Sequence, residues 1–109
     1  MTELERQAIL MEKVAKFYER RLATYCCGHI FRRERPIKLV GRPDGPDWQF
    51  TCGGTDHSDS NEPYHVSIGV LLDFDQTLHE IADLPAYWEA EREVVGSPWI
   101  RTEGRRPKI

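Results

Sequence analysis

The spacing of apolar positions along the chain changes from helical near the N-terminus to strand-like in the middle. Leu10, Val14 and Phe17 share a row with Arg21, and Met11, Tyr18 and Leu22 fall on the next, an apolar stripe that a helix turns toward a core. Ahead of it, Thr2-Glu3-Leu4-Glu5 matches the capping box, in which the threonine oxygen and the glutamate satisfy free N–H groups of a first turn. The pattern predicts a helix from about Glu3 to Ala23.

From Thr24 to Cys52 the residues are β-branched, aromatic or otherwise strand-tolerant, and Pro36 blocks a helix. The turn-rich Arg42-Pro43-Asp44-Gly45-Pro46-Asp47 separates Ile37–Gly41 from Asp47–Cys52 and predicts a hairpin. In its second arm Trp48 and Phe50 alternate with polar neighbours, so both are expected in the core. A polar loop from Thr55 to Pro63 precedes a third strand, about Tyr64–Ile68, and a turn of helix at Val70–Leu72. Asp75 reads as the N-cap of a short helix that buries Leu78, Ile81 and Ala82 and stops before Pro85. Tyr87–Glu93 alternates as a last strand, and Gly96–Ile109 reads as an extended arm anchored by Trp99.

Together these elements predict one α+β domain over residues 1–100, followed by a basic C-terminal tail at 101–109. An N-terminal helix packs on a small, mostly antiparallel sheet, one or two short helices precede the last strand, and the core runs from Trp48 to Arg92. A chain of 109 residues with 39% hydrophobic and 30% charged residues has the composition of a single folded domain. No stretch approaches the roughly 20 apolar residues of a membrane span, and Met1-Thr2-Glu3-Leu4-Glu5-Arg6 lacks the layout of a signal peptide. A cytoplasmic protein is expected.

Charge divides the chain. Residues 1–42 carry net +5, residues 43–100 net −11 with Arg92 as the one base, and residues 101–109 net +3. Either the acidic middle and the basic flanks pair in the fold, or one face stays negative and steers a basic partner. Nucleic acid does not suit such a face.

Three cysteines, two of them vicinal, point to reduced thiols or metal ligands rather than a disulfide framework. Cys27-Gly-His29 and Cys52-Gly-Gly-Thr-Asp-His57 supply two thiolates and two imidazoles, the donor set of a closed tetrahedral zinc site, with Cys26 an alternative to Cys27. The contrasting reading makes the cysteines small buried hydrophobes and His57 a solvated loop residue. A thiol nucleophile with His29 or His65 as base has no supporting motif, and no phosphate-cradling glycine loop is present. Catalysis is therefore not expected. Asp56-His-Ser-Asp59-Ser-Asn-Glu62 lacks the alternation of a calcium loop, and Arg32-Arg33-Glu34-Arg35 reads as a solvated turn rather than a phosphate site.

Asp47-Trp48-Gln49-Phe50, the polar acidic loop, Val66-Ser67-Ile68, Asp73-Phe74-Asp75-Gln76-Thr77-Leu78, Leu84-Pro85 and Tyr87-Trp88-Glu89 occur in an order that resembles a family of small bacterial immunity proteins of polymorphic toxin systems. The likeness covers under half the chain and departs from the family pattern at Gln76, where proline is usual, and in the cysteine-histidine pairs. It implies an α+β fold and the non-catalytic task of binding and blocking a cognate toxin. A toxin with a basic cleft would meet carboxylates, for which Asp56, Asp59, Glu62, Asp73, Asp75, Glu80 and Asp83 are the candidates.

Overall fold

The computed structural model describes residues 2–7 and 17–104. Six strands form one sheet in the order β4-β1-β3-β2-β5-β6. They are β1 (Ala23–Cys26), β2 (Leu39–Gly41), β3 (Gln49–Thr51), β4 (Tyr64–Ser67), β5 (Trp88–Glu91) and β6 (Ile100–Glu103). All neighbours pair antiparallel except β1 and β3, which run parallel with Cys26 opposite Phe50. The expected α+β class, with a mostly antiparallel sheet, is the observed one.

Residues 3–7 are helical (α1), and the Glu5 N–H donates to Thr2 Oγ1 at 3.2 Å, as the capping box requires. Leu10, Met11 and Val14 of the apolar stripe lie outside the described residues, but Phe17 is fully buried and meets Trp48 edge-on at 5.0 Å. The helix does not reach Ala23. A turn closed by Leu22 N–H on the Glu19 carbonyl redirects the chain, and Ala23 opens β1.

Strand alternation sorts the sheet into two faces. Thr24, Cys26, Val40, Phe50 and Ala90 are buried on one, beneath α2 (Gly28–Phe31), α3 (Ile68–Phe74) and a 3-10 helix (Gln76–Ile81). Tyr25, Leu39, Gln49, Thr51, Glu89 and Glu91 belong to the opposite face, which no described helix covers. Trp48 and Phe50 are in the core as the alternation predicts.

Three elements differ from expectation. The strand-like Ile30 and Phe31 sit in the single turn α2, which caps the end of β1 and buries Ile30. The helix begun by Asp75 is 3-10: Asp75 accepts from both the N–H and the hydroxyl of Thr77, tightening the first turn. Residues 101–103, expected in the tail, belong to β6. That strand is exposed on every residue, so no alternation marks it; the β5 backbone holds it, and Arg101 bonds the Glu80 carbonyl and Asp83.

Candidate metal centre

Parallel pairing of β1 with β3 sets their carboxyl ends side by side. Cys27 is the residue after β1, its N–H bonded to the Phe50 carbonyl, and Cys52 is the residue after β3. His29 projects from α2, whose N-cap is Cys27, and His57 comes from the loop that leaves β3. Gly53, at φ +76, supplies the left-handed turn that starts this loop, a conformation that favours glycine.

The four ligand atoms of Cys27, His29, Cys52 and His57 all lie within 4.8 Å of one another. Cys52 Sγ is 3.5 Å from His29 Nδ1 and 3.4 Å from His57 Nε2. Tetrahedral zinc, with Zn–S near 2.3 Å and Zn–N near 2.0–2.1 Å, places such donors roughly 3.3–3.8 Å apart. The side chains thus fit that ion with little movement. Both cysteines are buried and neither histidine is, so the cluster sits at the rim of the core. Of the alternatives for the first ligand, the structure selects Cys27. Cys26 points into the core, and burial pushes its thiol up to about 11. Burial also raises Cys27, against the opposing pull of the Ile30 and Cys52 backbone N–H groups.

A ring of charges fastens the loop around the cluster. Arg35 lies 3.7 Å from Cys52 Sγ through Nη1 and forms a fork on Asp56, at 2.8 and 2.6 Å, beside His57. Glu62 accepts from the Gly28 N–H next to Cys27. Asp59 receives Arg32 at 2.8 Å and the Tyr64 hydroxyl at 2.7 Å, while Tyr64 stacks on Phe31. The Tyr64 hydroxyl, the Asn61 N–H and Arg32 hold the Asp59 carboxyl down to about 2. Arg32 and Arg35, read from the sequence as a solvated turn, thus brace the loop; nothing in their spacing signals it.

The candidate partner-binding carboxylates do not gather on one surface. Asp56, Asp59, Asp73 and Asp83 pair with Arg35, Arg32, Arg20 and Arg101, so four carboxylates of the acidic middle are matched by the basic flanks. Asp75 is turned inward onto Arg92. Glu80, with Glu89 and Glu91 of β5, is exposed and carries no ion pair among the described residues. As for a thiol–imidazole pair, His65 meets Tyr25 edge-on at 4.5 Å on the uncovered face, opposite to the side chain of Cys26.

No protein-family model matches the chain, and no curated protein or solved structure is significantly similar to it. No described helix is long and apolar enough to cross a membrane.

Proposed function

We propose that this chain is a non-catalytic binding domain in which Cys27, His29, Cys52 and His57 hold one zinc ion that fixes the acidic loop at the end of the sheet. The convergence of four ligand atoms within 4.8 Å, drawn from two strand ends, a helical turn and a loop, carries the reading. Two thiolates and two imidazoles suit zinc rather than magnesium or calcium. Four protein ligands fill a tetrahedral ion and leave no position for a reactive water, which favours a structural centre.

The partner we propose is a basic protein, the class implied by the resemblance to toxin-blocking immunity proteins. Glu89 and Glu91, exposed side by side on the uncovered sheet face and unpaired among the described residues, support this over the arginine-bound aspartates.

Protein purified without a histidine tag should contain one zinc per chain by elemental analysis. Cobalt substitution should give a thiolate charge-transfer band that weakens in Cys52→Ser and is absent when Cys27 and Cys52 are both changed to serine. Metal well below one per chain, with thermal stability unmoved by chelator, rejects the centre. For the partner, Glu89→Gln and Glu91→Gln combined should slow association with a basic toxin and flatten its salt dependence; an unchanged rate rejects that surface.

A further inference from the structure

Cys27 and Cys52 face different clefts while their sulfurs lie within 4.8 Å of each other. Cys27 lines a cleft of about 310 Å³ with Tyr25, Gln49, Thr51 and Glu62. Cys52 lines a depression of about 470 Å³ with Arg35, Lys38 and Gly54. Each cysteine, though buried, therefore borders a cleft wide enough for a small oxidant. Arg35 Nη1 lies 3.7 Å from Cys52 Sγ at the edge of this depression.

We propose that Cys27 and Cys52 are a paired oxidation site, joined as a disulfide by a hydroperoxide, with loss of the metal. The metal half of this rests on the zinc reading above; the thiol half does not. The Cys52 thiolate attacks the peroxide O–O bond, giving a sulfenic acid and releasing hydroxide. The Cys27 thiolate then attacks that sulfur, forming the S–S bond and expelling a second hydroxide. Two sulfurs each give up one electron, hydrogen peroxide is reduced, and two protons taken from solvent complete two waters. His29 and His57 alone then remain as ligands, too few for a closed zinc site.

Closing the sulfurs to a bond of about 2.05 Å asks for a shift of under about 3 Å, within reach of side-chain rotation and small backbone adjustment at two residues that lie just past the ends of their strands. Cys26 also borders the first cleft, but it is buried and packs among Ile30, Val66 and Leu71 on the core side, away from the Cys27–Cys52 pair.

The test treats the zinc-loaded full chain, and its Cys26→Ser variant, with hydrogen peroxide. Released zinc is followed with a chelating dye, free thiols are counted, and disulfides are mapped by peptide mass. Wild type should lose two of its three thiols, and the variant both of its own. A Cys27–Cys52 peptide lighter by two hydrogens should appear in step with zinc release. A disulfide containing Cys26, or sulfinic acid without a disulfide, overturns the proposal. Should purified protein hold no zinc yet form the Cys27–Cys52 bond, the oxidation site stands and the zinc reading falls. Zinc bound and then released without that bond overturns the oxidation site and leaves the zinc reading standing.

Discussion

Arg92 and Asp75 meet at 2.5 Å inside the fold, with the arginine side chain fully buried and the aspartate nearly so. Arg92 also donates to the Ile37 carbonyl through Nε and Nη2, donates to the Thr77 hydroxyl, and stacks on Trp99 at 4.1 Å. One guanidinium thus ties the end of β5 to the approach to β2, the 3-10 helix and the segment leading into β6. Asp75→Ala leaves that cation buried without its counter-charge, and removing one member of a buried pair costs about 3–5 kcal/mol. Urea unfolding should show a loss of at least about 3 kcal/mol; a loss under about 1 kcal/mol would mean the network is dispensable.

The same pair gives an acid dependence of known sign. Burial acts to raise the Asp75 carboxyl, but the Thr77 and Arg92 hydrogen bonds and the Arg92 charge outweigh it and hold the carboxyl below its ordinary value. A folded value under the unfolded one, about 3.9, means stability that is fully present above about pH 4–5. It is lost as pH falls through the folded value. Because other titrating groups cancel in the difference, the stability gap between wild type and Asp75→Asn should be constant near neutrality and shrink below pH 4. A gap that widens on acidification contradicts the assignment.

How far such features are legible in the sequence depends on how local their causes are. The hairpin of β2 and β3, the buried Trp48 and Phe50 and the Asp75 cap are written in alternation and turn chemistry, which act over a few residues. The donor set Cys27, His29, Cys52 and His57 is visible as two short pairs, yet what joins them is the parallel pairing of β1 and β3, a long-range choice that no local pattern encodes. For the same reason Arg35 at Cys52 and the pairs Arg20–Asp73, Arg32–Asp59 and Arg101–Asp83 are invisible, since the partners in those three pairs lie 18 or more residues apart. β6 is hidden for a different reason: with both faces wet it has no apolar rhythm to read.

Gly69 tests the packing of the N-terminal segment on α3. Its N–H donates to the Arg20 carbonyl at 3.1 Å, and a Cβ at this position would come within 2.9 Å of that same oxygen. The obstacle is backbone, so it cannot swing away as a side chain would. Overpacking of this kind costs typically about 1–3 kcal/mol and outweighs the better helix propensity of alanine. Gly69→Ala should lower the thermal midpoint; a midpoint raised or unchanged would show that the turn at residues 19–22 sits more loosely against α3.

Arg35 decides whether the charges around the cluster tune the metal or merely solvate the loop. Its guanidinium reaches Cys52 Sγ and forks on Asp56, one residue before His57, so it touches one ligand and positions the backbone of another. Partners that orient metal ligands typically change affinity about 10–100-fold when removed. Arg35→Ala should weaken zinc by that order in competition with a chelating dye, and Asp56→Asn should weaken it less, because the arginine would still reach the sulfur. Arg35→Lys separates charge from geometry: lysine restores a cation near Cys52 but cannot grip Asp56 in a fork, so it should recover part of the affinity. Equal zinc affinity in all three variants would confine the metal's support to the four ligands themselves and leave Arg35 as a surface brace for the loop.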